Sequence, residues 1–110
     1  MITPIQGQKA EVTIEIKIKS LKFDADQKLL DYVEKKVKKL ERFNEGIVNV
    51  DVNLTLLQEP DNKNVKLHVH VPGEEMIIER NSKTFEEAIT DSVDAMKEKL
   101  TRAKEKRYEA

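Results

Sequence analysis

Basic side chains at helical spacing between positions 28 and 42 are the residues of this chain best suited to binding a ligand. Cations arranged along one helix face can neutralise successive backbone phosphates of a nucleic acid and release its counterions. Five bases fall within roughly 100° of arc if the segment is helical: Lys28, Lys35, Lys38, Lys39 and Arg42. The alternative is an ordinary solvated face, but such faces normally interleave Glu with Lys, and here only Asp31 interrupts the bases.

A second basic stretch covers residues 97–107, which include six bases and two acids. In a helix, five of these bases divide between the two flanks of the apolar stripe: Lys99, Arg102 and Lys106 on one flank, Lys97 and Lys104 on the other. Either set could border a groove shared with the first basic segment. The alternative is that Glu98 and Arg102 form a solvated i,i+4 pair while the other bases complement the helix dipole.

Two histidines and many acids are the remaining groups that could do chemistry. His68 and His70 are two residues apart on a predicted strand, a spacing that can chelate a metal, but the chain has no cysteine and places no third ligand beside them. We interpret them as exposed polar residues and predict no metal site. The sequence contains no Ser/His/Asp arrangement, Gly-rich phosphate loop or His-Glu metalloprotease helix. It therefore predicts no enzyme, no cofactor and no small-molecule substrate.

Length and composition set the limits within which these residues must be positioned. A chain of 110 residues that is 38% hydrophobic can bury one modest core. We predict a flexible leader over residues 1–11 and a single domain over 12–110. The absence of cysteine, of a signal peptide and of a long apolar run predicts a cytoplasmic protein that does not bind membranes. The net charge of −1 argues against nucleic-acid binding, so the local concentration of bases matters more than their sum.

The elements that would position the bases follow from the hydrophobic periodicity. Alternation from Val12 to Ile18 predicts a first strand. Asp24, with Gln27 three residues later, predicts the N-cap of a helix that runs to about Phe43. Gly46 would close that helix. Three more strands are predicted: Val48–Leu56, Val65–Val71 and a shorter one, Met76–Arg80.

The final element is a second helix, whose N-cap is predicted from the capping box that Thr84 and Glu87 form. Pro72-Gly73 and Pro60-Asp61-Asn62 supply the turns between the strands. The order is β-α-β-β-β-α. Two amphipathic helices on one face of a four-stranded sheet make a two-layer α+β domain, with the other sheet face open to solvent.

Several segments, taken in order, resemble the ribosome hibernation promoting factor and ribosome-associated translation inhibitor family. The resemblance covers about residue 16 to the C-terminus and depends on five features: residues 16–23, residues 33–43, Val69-His70-Val71-Pro72-Gly73, Phe85-Glu86-Glu87-Ala88-Ile89, and the lysine-rich end after Met96. None of these is a catalytic signature. The specificity of the resemblance comes from the ordered set.

The resemblance implies a double-stranded-RNA-binding-like fold that docks between head and body of the small ribosomal subunit and overlaps the mRNA and tRNA sites. It implies contacts to ribosomal RNA from basic residues of both helices. On helix 1 the matching residues are Lys28, Lys35, Lys38, Lys39 and Arg42, and on helix 2 they are Lys99, Arg102 and Lys106. Lys22, Arg80 and Lys83 match more weakly.

The resemblance is to the short type of the family, because the chain stops at Ala110 without a second, dimerising domain. A protein of the short type could also act together with a second hibernation factor, which is therefore a further candidate partner. A different interpretation of the same architecture is a regulatory module that binds a protein partner through its open sheet face or an edge strand. Charge reversal at Lys35, Lys38 and Arg42 separates the two, since only RNA binding depends on those bases.

Overall fold

The architecture is a four-stranded sheet with two helices, in the predicted order β-α-β-β-β-α, and it confirms the α+β fold. The computed structural model describes residues 14–43, 46–58, 60 and 62–109, without the side chains of residues 104 and 106–109. The predicted leader, residues 1–11, lies outside the described residues. The elements are β1 Glu15–Leu21, α1 Gln27–Lys38 with a 3₁₀ turn Lys39–Arg42, β2 Asn49–Leu56, β3 Lys63–Val71, β4 Glu74–Ser82 and α2 Phe85–Glu109.

The sheet is mixed, with the strands in the order β1-β2-β3-β4. β1 and β2 are parallel, because α1 carries the chain back between them. β2, β3 and β4 form an antiparallel meander. The register aligns Val52 with Ile18 on one side and with Leu67 on the other. The buried apolar residues of all four strands therefore share one face, while Leu21 and Ile77 are exposed on the other.

The core lies between that face and the two helices. Val52 and Leu67 of the sheet have no exposed surface, and the same is true of Val37 in α1 and Met96 in α2. The stripes predicted from three- and four-residue spacing are thus the buried faces of both helices. The opposite sheet face carries polar side chains, including both histidines, and no described helix covers it. The outer surface of the helices and the open face of the sheet are therefore two separate candidate binding surfaces.

The N-terminus of α1 differs from the prediction, because Asp26 and not Asp24 is the cap. Asp26 has extended backbone angles, and its Oδ1 accepts a hydrogen bond from the backbone amide of Leu29 at 2.9 Å. Gln27 does not bond back to a cap, since its side-chain amide donates to Asp31 at 2.9 Å. Asp24 and Asp26 are both favourable N-cap residues, and packing of the helix selects between them.

The C-terminal end of α1 also differs, because the α-helix ends at Lys38 and a 3₁₀ turn continues to Arg42. Leu40, which lies in this turn, has no exposed surface, and its carbonyl accepts from the amide of Phe43 at 2.9 Å. A 3₁₀ turn commonly tightens the last turn of a helix and satisfies its free carbonyls. Here it lets Leu40 reach the core while Lys39 and Arg42 stay exposed.

β4 is longer than predicted and has nine residues, as many as β3. The apolar alternation ends at Ile78, but the backbone pairing continues to Ser82, which lies opposite Lys63. Polar contacts support the extension, since the buried side-chain amide of Asn64 donates to Asn81 at 2.7 Å and to Glu79 at 2.9 Å. A polar cross-strand cluster of this kind has no signature in hydrophobic periodicity.

The start of α2 confirms Thr84 as the predicted cap. Thr84 Oγ1 accepts from the backbone amide of Glu87 at 3.1 Å, while the Glu87 carboxylate accepts from Ser82 Oγ at 2.6 Å. The first residue of the helix is also held from the side, because Phe85 stacks on Phe23 with ring centroids 4.7 Å apart. The stack joins the β1-α1 connection to the start of α2.

The β3-β4 turn requires glycine at position 73, which has φ +80 and follows Pro72 between the paired residues Val71 and Glu74. A Cβ at this position would meet no atom within 4 Å, so a substitution there changes backbone energy alone. We expect Gly73→Ala to lower the free energy of unfolding by about 1–2 kcal/mol, the cost of a left-handed residue that carries a Cβ. Urea unfolding followed by circular dichroism measures it.

The matched control is Gly73→Asn, because asparagine tolerates positive φ better than alanine does. Its loss of stability should be the smaller of the two. Equal losses for both variants, or no loss for either, would contradict the assignment of the effect to backbone conformation.

Candidate nucleic-acid interface

Four of the predicted bases come together at the C-terminal end of α1, and we call them the helix-1 cluster: Lys35, Lys38, Lys39 and Arg42. All four are exposed, and together with Glu41 they line one open depression of about 480 Å³. The α-helix presents the first two and the 3₁₀ turn the others, while Leu40 anchors that turn in the core. Four cations and one acid around a shared depression make a local excess of positive charge.

The charges of the helix-1 cluster are not neutralised within the described part of the chain. None of the four side chains forms a hydrogen bond or ion pair there, although other lysines and arginines do, such as Lys97 with Asp94 at 3.5 Å. The cluster also lies at the negative end of the helix dipole, which favours cations and is an alternative reason for their presence. Dipole complementarity does not require four unpaired bases around one depression, so the cluster remains available to an anionic partner.

A narrow groove separates α1 from α2 beside the cluster. The hydroxyl groups of Tyr32 and Thr90 lie 3.2 Å apart across the groove and hydrogen-bond, which fixes the spacing of the two helices. Two lysines lie over aromatic rings at its edge: Lys36 Nζ is 5.6 Å from the Tyr32 ring centroid, and Lys97 Nζ is 5.5 Å from that of Phe43. Each aliphatic stem covers apolar surface while its ammonium group stays at the rim.

The groove itself is too small to hold a phosphate group. Its volume is about 40 Å³, close to that of a single water molecule, and it is lined by Lys36, Lys39, Thr90, Val93, Asp94 and Lys97. An anionic ligand would therefore bind across the rim. Lys39 lines both the groove and the depression, so the helix-1 cluster extends to the rim of the groove, where Lys97 of α2 is paired with Asp94 at 3.5 Å.

Lys36 and Lys97 were not among the site residues predicted from the sequence. Lys36 lies next to the apolar stripe of α1 on a helical wheel, where core residues are expected. The signal that could have identified it is the four-residue spacing from Tyr32, which lets the lysine fold over the ring. Lys97 could not be chosen, since the sequence does not say which flank of α2 faces α1.

The predicted bases of α2 lie outside the groove. Lys97 and Thr90 face α1, and at ~100° per residue Lys99 points to the other side of the helix, whereas Arg102 lies on the solvent side and lines an open depression together with Lys97. Lys99 and Arg102 are both exposed, and Arg102 pairs with Glu98 at 3.8 Å. The backbone of Lys106 belongs to α2, but its side chain lies outside the described residues. The structure therefore does not place Lys99 or Arg102 in the depression of the helix-1 cluster.

The remaining predicted bases are exposed and scattered. Lys28 is in the first turn of α1, far along the helix from the cluster. Lys22 follows β1 in a left-handed conformation with φ 71, which is unusual for a residue other than glycine. Arg80 in β4 donates from Nη1 to the Glu79 carbonyl at 2.9 Å, and Lys83 precedes α2. These four residues are accessible, but the structure does not gather them into one surface.

The open sheet face contains the one group of described residues that could hold a metal ion: Asp51, His68 and His70. The sequence did not place a third ligand beside the histidines, and the pairing of β2 with β3 supplies it. This group lies on the side of the sheet opposite the helix-1 cluster. Within the described residues, no helix is both long and apolar enough to cross a membrane.

Comparison with known proteins identifies the family. Residues 14–108 match the family described as sigma 54 modulation protein / S30EA ribosomal protein. The chain belongs to this family. A curated relative, the ribosome hibernation promoting factor of Azotobacter vinelandii, is 29% identical over 96 residues, which cover 87% of this chain and 88% of that protein. The predicted resemblance to hibernation factors is confirmed.

Two solved structures have the same fold as this chain. A ribosomal subunit interface protein from Coxiella burnetii has a TM-score of 0.74 at 18% identity and covers 83% of this chain and 98% of its own. The N-terminal domain of Protein Y from Thermus thermophilus has a TM-score of 0.70 at 24% identity, covering 81% and 98%. S30EA is a family of ribosome hibernation factors and not of enzymes, and membership supports a ribosome-associated role.

Proposed function

We propose that this protein is a hibernation factor that binds small-subunit ribosomal RNA through the basic surface of its helices and occludes the mRNA and tRNA sites. The observation that carries the proposal is the helix-1 cluster, in which four exposed bases surround one depression without partners among the described residues. Backbone phosphates are the anions that such a surface fits, because cations spaced along a helix contact successive phosphates.

Recognition would depend on RNA shape and backbone charge more than on base reading. The surface has lysines and arginines but no exposed aromatic platform on which an unpaired base could stack, among the residues that the structure describes. Tyr32 and Phe43 are half-buried beneath Lys36 and Lys97. Such a surface favours folded RNA, whose phosphates are fixed in space, over flexible single strands.

Occlusion would need no chemistry, because a docked domain excludes other ligands by its volume. Two helices anchored by a common core form a rigid body, so a contact through α1 places the whole sheet next to the bound RNA. A protein acting on ribosomes in this way would be cytoplasmic. Neither a membrane nor a small-molecule substrate enters the mechanism, and a second hibernation factor is a partner that the mechanism permits.

The experiment is co-sedimentation of the purified protein with ribosomes and with separated subunits as salt is raised. Four phosphate contacts predict a slope of about −3.6 in a plot of log affinity against log salt, or roughly a 150-fold loss when salt rises fourfold. We expect the protein to pellet with the small subunit at low salt and to be released along that slope. Small subunits preloaded with mRNA and tRNA should bind less of it.

Two results would contradict the proposal. If small subunits pellet at low salt and the protein stays in the supernatant, the result would favour the alternative, in which a protein partner binds the sheet face or an edge strand. Equal binding to empty and preloaded subunits would exclude occlusion while leaving ribosome association intact. A plain RNA duplex in parallel shows whether recognition requires the ribosome, since a stand-alone duplex binder would bind it equally well.

A further inference from the structure

The open sheet face gathers two imidazoles and two carboxylates on three adjacent strands. Asp51 of β2 lies directly opposite His68 of β3, and His70 lies two residues further along the same strand and on the same face. Glu75 of β4 is the register partner of His70. Strands hold side chains on a fixed lattice, so these four groups converge because of the sheet itself and not because of a flexible loop.

One pair of atoms within this group is already at the spacing of ligands in a metal site, and the third lies close by. One ligand atom from each of Asp51, His68 and His70 lies within 4.8 Å of the others. His70 Nε2 is 3.4 Å from Asp51 Oδ2. In a tetrahedral zinc site with bonds of 2.0–2.1 Å, neighbouring ligand atoms are about 3.3 Å apart. That pair therefore needs almost no movement to share a cation.

Glu75 occupies the position of an orienting carboxylate. Its Oε2 lies 3.5 Å from His70 Nδ1, the ring nitrogen that faces away from Asp51, and its Oε1 lies 3.2 Å from His68 Nε2. Metal-binding histidines typically donate the second ring N–H to a carboxylate, which fixes the ring and its tautomer. The two rings are also stacked, with centroids 4.2 Å apart, and this limits their rotation.

The donor set selects the type of cation. Two imidazoles and one carboxylate suit zinc and its neighbours in the first transition series, whereas magnesium and calcium prefer oxygen ligands alone. The side chains of His68, His70 and Asp51 are 26%, 27% and 39% exposed, so a cation has access and water can complete its coordination. Lys17 lies beside Asp51 in register but forms no ion pair with it among the described residues.

We propose that Asp51, His68 and His70 form a Zn²⁺ site on the open sheet face, with Glu75 holding the His70 ring. Without a cation, two carboxylates face two histidines in the cluster, and a divalent ion compensates that negative charge. The site is on the opposite layer from the helix-1 cluster, so it does not depend on the proposed ribosome contact. The proposed site assigns a ligand, Zn²⁺, to the sheet face that the helices do not cover.

Titration of the untagged full chain with ZnCl₂ in a calorimeter tests the site. We expect one Zn²⁺ per chain, at least tenfold weaker binding in Asp51→Asn and in His70→Gln, and no heat from MgCl₂ at the same concentrations. Zn²⁺ at a hundredfold excess over its Kd should raise the unfolding midpoint by about 5 °C or more. Glu15→Gln, which removes an acid elsewhere on the same face, is the matched control and should bind as the wild type does.

The outcomes separate the site from other sources of binding. Circular dichroism confirms that each variant is folded, and all substitutions lie on the outer sheet surface, away from the core. Undiminished binding in the double variant His68→Gln/His70→Gln would place the metal elsewhere and overturn the proposal, as would an absence of binding to the wild type. Glu75→Gln should weaken binding less than Asp51→Asn, because it perturbs only the orientation of the ring. An equal or larger loss would make Glu75 a ligand in place of Asp51.

Discussion

Charge reversal of the helix-1 cluster by Lys35→Glu, Lys38→Glu and Arg42→Glu is expected to lower the affinity for the small ribosomal subunit by more than about 100-fold. Each lost contact between a base and a phosphate costs roughly 1–1.5 kcal/mol, and the three together exceed the 2.7 kcal/mol that corresponds to a factor of 100. The salt slope should also become shallower by about 0.9 for each contact removed. Co-sedimentation at several salt concentrations gives both quantities.

The matched control reverses three bases on the other layer, Lys17, Lys19 and Lys66. All three are exposed on the open sheet face, and their reversal changes the net charge by the same amount. The Debye length is about 8 Å at physiological ionic strength, so charges on the far side of the sheet contribute little to a contact made by α1. If both triple variants lose affinity equally, the effect is one of net charge, and the helix-1 cluster is not the contact surface.

The net charge of −1 is compatible with RNA binding only because bases are concentrated locally. The helix-1 cluster has one acid in its depression, whereas the open sheet face mixes the two signs, with Asp51, Glu75 and Glu79 beside Lys17, Lys19 and Lys66. A protein surface acts on a ligand through the charges within about one Debye length. Composition alone therefore misjudges this chain, and the spacing of the bases along one helix is the better guide.

The fold was predictable because its signals are local and consistent. Alternating residues such as Val50 to Leu54, the turn at Gly73 and the cap at Thr84 each specify backbone geometry within a few positions. The errors occurred where several local solutions compete. Asp24 and Asp26 are both good caps, and the final turn of α1 could be α or 3₁₀ until burial of Leu40 selected the tighter form.

The candidate site was predictable only within single elements. Helical spacing identified Lys35, Lys38, Lys39 and Arg42, all on one element, and the structure places them around one depression. Contacts between elements were not accessible in this way. Asp51 lies beside His68 because of the β2-β3 register, and Lys97 reaches Phe43 because of the angle between the helices. Neither relation has a signature in spacing along the chain.

The second large effect is expected from the groove, where Lys36→Gln with Lys97→Gln should lower small-subunit affinity by about 30-fold. The two ammonium groups lie at the rim beside Lys39, so they extend the helix-1 cluster across to α2. Loss of both removes about 2 kcal/mol of contact with RNA phosphates. The stems also pack on Tyr32 and Phe43, and loss of two cation–π contacts lowers the free energy of unfolding by about 1–2 kcal/mol. Urea unfolding in parallel ensures that binding is measured on folded protein.

The matched pair Lys99→Gln with Arg102→Gln tests the part of α2 outside the groove, where the family resemblance implies the RNA contacts of this helix. Both residues are exposed, and the ion pair of Arg102 with Glu98 at 3.8 Å is 74% and 73% exposed, so its loss should cost little stability. Each double variant removes two positive charges from the protein, so their affinities for the small subunit can be compared directly. A larger loss from Lys36 and Lys97 means that RNA lies across the two helices, over the groove. A larger loss from Lys99 and Arg102 would instead place RNA along the outer side of α2. The RNA would then make two separate basic contacts, one with the helix-1 cluster and one with Lys99 and Arg102, although the exposed centre of α2 is acidic.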